Sequence, residues 1–236
     1  MRRPSNFQRT YPHNRLLACR QSAFGTIAFT LLLSGSLLAQ GPESSAPAKS
    51  AVATKVPWAY NFVVDGYITP PEETSYASPI FAADRDWLHL EARYNNEDLR
   101  TGSFWAGYNF SAGKKLVLNV TPMLGGVFGK TTGIAPGCEA SLTYKKKIQL
   151  SISNEYVFAT DKSASFYYSW PQLTYSLVDW FQVGVVAQHT QAFQSTLDVQ
   201  RGILVGLAHK QVEFTTYVFN AGWTDPTVVL EIGVSF

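Results

Sequence analysis

The chain has 236 residues, of which 14% are aromatic and only 15% charged, with a formal net charge of +2. Soluble domains carry about 25% charged residues. Five of the 19 basic residues and none of the 17 acidic ones fall in the first forty positions, so the positive balance is local and nothing argues for nucleic acid. The two cysteines, Cys19 and Cys138, lie far apart. With Cys19 in the leader described next, they offer neither a disulfide framework nor metal-ligand spacing.

The chain opens with Arg2, Arg3, Arg9, Arg15 and Arg20, followed by an apolar run at 23–39 that Gly and Ser interrupt. A basic start, a short apolar run and a small residue at its end predict a secretory signal peptide over 1–39, cleaved near Ala39. The run is too short for a membrane helix. The stretch "LLAC" at 16–19 has the look of a lipoprotein box but precedes the apolar run instead of closing it. Residues 40–57, rich in Pro, Ser and Ala, read as a disordered spacer.

From Trp58 onward the texture changes to serial alternation, apolar residues at every second position, which is the period of a strand. Trp58, Tyr60, Phe62, Val64 and Ile68 oppose Asn61, Asp65 and Tyr67. Next, Leu88, Leu90, Ala92 and Tyr94 oppose His89, Glu91 and Arg93, and Phe104, Ala106, Tyr108 and Phe110 oppose Ser103, Trp105 and Asn109. The stretch "TPMLGGVFG" at 121–129 is glycine-rich, which in a strand signals a bend or a close approach. Ile148, Leu150, Ile152, Tyr156 and Phe158 oppose Gln149, Ser151, Ser153 and Glu155. In the following segment Phe166 and Tyr168 share even parity while Leu173, Tyr175 and Leu177 are odd; a bulge at Trp170-Pro171 would restore the alternation. Phe181, Val183, Val185 and Ala187 form the next apolar set, then Val212, Phe214 and Val218. The last set is Val228, Leu230, Ile232, Val234 and Phe236.

Tight polar turns ("SAGKK", "KKK", "LVDW", "HKQ") alternate with longer connectors ("NNEDLRT", "GKTTGIAPG", "ATDKSAS", "TQAFQSTLDVQ"), as on the two rims of a membrane barrel. With Phe236 and the exported amino end both on the short-turn side, parity demands a strand through 75–83 despite Pro79. The count is then twelve. Ten strands, with 58–83 inside or beneath the barrel, is the alternative.

Signal peptide, spacer, amphipathic strands and a final strand ending in Phe resemble bacterial outer-membrane β-barrel proteins. The expected fold is all-β, an antiparallel up-and-down transmembrane β-barrel over residues 58–236. The resemblance implies that Val228, Leu230, Ile232, Val234 and Phe236 are the signal read by the barrel-assembly machinery. It also implies outer-membrane lipid as surroundings and says little about activity. A secreted β-sandwich would alternate too, but gives no reason for aromatics such as Tyr94, Tyr108 and Tyr156 near strand ends, where membrane girdles place them.

With the apolar parity toward lipid, the lumen is expected to be lined by Asp65, His89, Glu91, Arg93, Glu139, Glu155, Glu213 and Glu231, with Tyr67, Trp105, Tyr167 and Tyr217 narrowing it. Ionisable groups there must be paired or wet. Two readings follow: Arg93 forked between Glu91 or Glu139 as a plug, or a passage for cations or small solutes. His189 and Ser195 lie close in the chain, but that spacing alone is a weak sign of a nucleophile and base. A membrane-embedded lipid-modifying enzyme is therefore the last of the readings, and no enzyme activity is expected. "GKTTG" at 129–133 lacks the leading Gly of a phosphate loop. No cofactor is expected.

Overall fold

A computed structural model describes residues 56–68, 75–192, 198–222 and 226–236. The expected leader, all of the spacer but its last two residues, and Ser195 lie outside the described residues. The strands are β1 (Ala59–Ile68), β2 (Tyr76–Arg85), β3 (Leu88–Tyr94), β4 (Thr101–Tyr108), β5 (Phe110–Gly113), β6 (Leu116–Gly129) and β7 (Gly133–Tyr144). They continue as β8 (Ile148–Ala159), β9 (Phe166–Val178), β10 (Phe181–Ala192), β11 (Asp198–His209), β12 (Val212–Phe219) and β13 (Thr227–Ser235).

β4 and β5 are two lengths of one strand. Both pair with β6 in a single register, Gly107 opposite Met123 and Phe110 opposite Val120. The ladder lapses between them, opposite Pro122, which has no N–H to donate. The wall therefore has twelve strands, each antiparallel to the next, and β1 pairs with β13 to close it. The seam is held by reciprocal backbone bonds between Tyr60 and Phe236, N···O 2.8 and 2.9 Å, and their rings stack at 5.7 Å.

β2 is a full member of the wall, which decides twelve strands over ten. Pro79 is accommodated because β2 pairs with β3 only from Ile80 onward. Past that point side chains take over: the Ser78 hydroxyl donates to the Tyr94 carbonyl at 3.1 Å and the Asn95 amide to the Ala77 carbonyl at 3.0 Å.

Burial is inverted relative to a soluble protein. Phe62, Phe104, Leu118, Leu150, Val185, Ile203 and Ile232 stand exposed on the outer surface, whereas Asp65, Glu91 and Arg93 are buried inside. A wall exposing apolar residues suits lipid and rules out the β-sandwich reading. Rings cluster at both ends of this band, Trp87–Tyr108–Phe110 at the rim of the termini and Tyr156–Phe158 and Phe104–Phe128 toward the other.

The bulge expected at Trp170-Pro171 is not there. β8 and β9 pair in unbroken register from Ile148↔Tyr175 to Val157↔Phe166, and the irregularity lies between β9 and β10 at Phe181/Gln182. Phe166, Tyr168 and Trp170 are buried in the barrel interior instead, and Tyr167, expected inside, is exposed outside. Treating every large apolar residue as lipid-facing fails where the interior is itself aromatic.

Most connectors on the termini rim are tight. Lys145 and Lys146 both take positive φ, 48° and 58°, as a primed hairpin turn requires. At Gly113, φ 102°, a Cβ would fall 1.9 Å from the Leu116 carbonyl oxygen, so only glycine fits. The stretch "GKTTGIAPG" is mostly strand, leaving only residues 130–132 between β6 and β7.

Candidate functional site

Alternation on β3 sends His89, Glu91 and Arg93 to one face, two residues apart, all buried. Arg93 is the hub. Its Nε donates to Glu91 Oε2 at 2.6 Å and one terminal nitrogen to Glu155 Oε2 on β8 at 3.1 Å. Glu97 Oε1 lies at 3.7 Å and Glu139 Oε1 on β7 at 3.9 Å. The guanidinium sits over the Trp105 ring, 4.3 Å from its centroid, a cation–π contact strengthened by burial.

The network descends toward the rim of the termini. His89 Nε2 is 3.2 Å from Glu91 Oε1 and Nδ1 is 2.8 Å from Asp84 Oδ1 on β2. Asp84 also accepts from the Asn109 amide at 2.7 Å, and Asn109 accepts from the Thr121 hydroxyl at 2.8 Å. Asp84 is about a third exposed, so this end of the chain of ionisable groups meets solvent and the Arg93 end does not.

The connection from β3 to β4, residues 95–100, folds into the barrel. Asn96 and Glu97 are wholly buried. Glu97 Oε1 accepts from the Ser103 hydroxyl at 2.7 Å and the Trp105 indole N–H at 3.2 Å. Asp98 accepts from Lys130 at 3.0 Å and from the Thr131 hydroxyl at 2.8 Å, tying the loop to the β6–β7 turn. "NNED" reads as a solvated outer loop by composition; its insertion rests on partners 6 to 33 residues away in the chain, which composition does not show.

Trp105 has room because its cross-strand neighbour is Gly125. A Cβ on Gly125 would sit 2.5 Å from the indole, and one on Gly137 would sit 3.0 Å from it. The glycine-rich stretch thus serves a side chain, not a bend. Aromatic residues fill more of the interior. Tyr67 stacks on Tyr76 at 4.5 Å, and Trp170 meets Tyr217 and Phe219 edge-on at 5.4 and 5.1 Å. Val186, Leu204 and Val229 belong to the same cluster, which continues through Tyr168 and Val157 to Trp105. Apart from the partly buried Tyr76 these residues are nearly free of solvent exposure, so they pack the half of the barrel near the loop rim. In the other half, Asn119, Thr143, Gln149, Gln182 and Glu213 remain partly accessible.

Of the eight residues expected to line the lumen, five converge: His89, Glu91, Arg93, Glu139 and Glu155. Asp65 and Glu231 are direct partners across the β1–β13 seam, and Glu231 accepts from the Tyr217 hydroxyl at 3.2 Å. Glu213 lies nearer the rim of the termini, opposite Gly233. Sequence reasoning missed Glu97, Asp84, Tyr168, Trp170 and Phe219. The even parity of Phe166 and Tyr168 was the signal available for the aromatics. Of the residues expected to form the assembly signal, Val228, Leu230, Ile232 and Val234 take the parity opposite to the buried Val229, and Phe236 stacks on Tyr60.

No protein-family model matches the chain, and no curated protein sequence matches it. Among solved structures it is similar to the KdgM porin, with a TM-score of 0.54 at 9% identity over 75% of this chain and 99% of that one. It is likewise similar to the KdgM porin in complex with disordered oligogalacturonate, with a TM-score of 0.55 at 9% identity and the same coverage. At that identity the likeness is one of fold, the closed β-barrel of a porin.

Proposed function

We propose that this protein is a bacterial outer-membrane porin-like barrel, exported with its leader removed and assembled through the strand ending in Phe236. Its narrow, acidic lumen admits small solutes and favours cations, with no chemical step of its own. The termini rim then faces the periplasm and offers the accessible half of the lumen. The observation that carries the reading is the ring of Glu91, Glu97, Glu139 and Glu155 around Arg93, in which carboxylates outnumber cations. Solvent meets the network at Asp84, and acids lining a passage favour cations where water reaches them. Oligogalacturonate, named with the KdgM porin, is a polyanion that such a ring would repel, so the solute class differs.

A second reading, a braced structural barrel with a closed lumen, is favoured by the packing of Tyr168, Trp170, Tyr217 and Phe219. Planar-bilayer recordings on refolded protein separate the two. Cation-favouring reversal potentials under a salt gradient, weakened by Glu139→Gln, support the passage. Absence of conductance supports the braced barrel, and anion selectivity refutes the acidic lumen outright.

A further inference from the structure

The ring around Arg93 holds more acceptors than its residents use. Asp84, Glu91, Glu97, Glu139 and Glu155 face two groups able to carry positive charge, Arg93 and His89. Glu97 Oε2 and Glu155 Oε1 are buried and accept no hydrogen bond among the described residues. A further, neutral group points the same way. The Tyr168 hydroxyl is wholly buried without a partner, on the cross-strand neighbour of Glu155 and within its field. Buried polar atoms are rarely left unpaired, so these oxygens are acceptors open to a donor. Among the described residues no three His, Cys, Asp or Glu side chains converge as a metal site. What the free oxygens lack is N–H donors.

We propose that this ring is a binding site for a guanidinium or primary ammonium group of a small organic solute, and that Arg93 is its tethered resident. The proposal rests on the reading of an acidic lumen open to solutes. Arg93 shows what the site recognises: a planar cation on the Trp105 face, its N–H groups forked between carboxylates. A guest approaches from the accessible half past Asp84 and Asn109. It donates to Glu97 Oε2 and Glu155 Oε1, with the Tyr168 hydroxyl beside it. Arg93 stays paired with Glu91 Oε2 and Glu155 Oε2, and the guest takes the oxygens that Arg93 leaves free. Guest and resident present the same kind of donor, so the site favours donor-rich cations over alkali ions of equal charge.

The test reads thermal unfolding of the refolded barrel in detergent at fixed ionic strength, titrated with methylguanidinium or with tetramethylammonium, which has the charge and no N–H. Methylguanidinium is expected to raise the melting temperature saturably and tetramethylammonium to leave it unchanged. Arg93→Ala vacates the site and should bind methylguanidinium at least about tenfold more tightly than the wild type. Glu97→Gln or Glu155→Gln should weaken binding about tenfold or more, the equivalent of one charge-assisted hydrogen bond. Should Arg93→Ala not refold, the wild-type and Glu→Gln titrations decide alone. Equal effects of the two cations, or no saturable effect in the wild type, overturn the proposal. The readout is independent of current: selective binding without conductance sinks the passage and keeps the site, and conductance without selective binding does the reverse.

Discussion

Replacing Arg93 by Ala removes the hub of the interior and leaves its partners in place. Four carboxylates lose their central cation, two of them hydrogen bonds at 2.6 and 3.1 Å, and Trp105 loses a guanidinium at 4.3 Å. Removing one partner of a buried ion pair costs about 3–5 kcal/mol, because the charge left behind has neither water nor a counter-ion. The Arg93→Ala barrel should lose stability in that range, read by urea unfolding after refolding into lipid vesicles. Arg93→Lys keeps the charge and loses the fork, so it should fall between wild type and Ala. The cause is tested by adding Glu155→Gln to Arg93→Ala. If uncompensated negative charge is the penalty, the double variant should be more stable than Arg93→Ala by about 1 kcal/mol or more, a coupling expected of residues in direct contact. A loss below about 0.5 kcal/mol for Arg93→Ala, the scale of an ordinary surface change, would mean that the carboxylates are hydrated and that the loop-rim half is not packed. Simple additivity in the double variant would refute the charge argument.

Three further outcomes follow from the geometry. Gly125→Ala puts a Cβ where the indole of Trp105 lies, so Trp105 must move and release its bond to Glu97; a loss of about 1–3 kcal/mol and a shifted tryptophan emission are expected. Val185→Arg, on the exposed outer face, should destabilise the lipid-embedded barrel by about 2–4 kcal/mol, more than Glu231→Gln; the reverse order in urea titrations would invert the wall. Deleting Phe236 removes the ring stacked on Tyr60 and two seam hydrogen bonds, and should lower the yield of heat-modifiable barrel in cells; an unchanged yield would contradict its part in assembly.

The wall was legible because alternation with period two reports facing directly. On β3 and β13 parity alone separates His89, Glu91 and Arg93 from Leu88 and Leu90, and Glu231 from Leu230 and Ile232. Three things were not legible. Parity cannot tell lipid from an aromatic interior, so Phe166, Tyr168 and Trp170 prompted a bulge that does not exist, and Tyr167 was turned the wrong way. Pro79 looked like an interruption, yet there, as at Pro122, only a few ladder bonds are missing and the strands run on. Cross-strand partners depend on register, which a sequence constrains only through its turns. Arg93 could therefore be given carboxylate partners in general, while Glu97, on a loop, escaped notice.

The two halves of the closure differ in how they could open. The Trp170–Tyr217–Phe219 cluster is held by apolar burial and ring contacts, and a solute passing through it would have to separate surfaces without replacing what it broke. The Arg93 ring is held by charge-assisted hydrogen bonds between donors and carboxylates. On the proposed reading, a cationic solute carries the same donors as Arg93 and can bond to those carboxylates, so the barrier to entering that sector falls for cations and rises for anions. The loop bearing Glu97 reinforces the distinction. Between ends anchored by backbone bonds at Asn95 and Arg100, Glu97 and Asp98 are held by Ser103, Trp105, Lys130 and Thr131, and such side-chain bonds can yield without unzipping the wall. On the proposed reading, a passage runs beside Arg93 on β3, and its selectivity resides in the same carboxylates that close it.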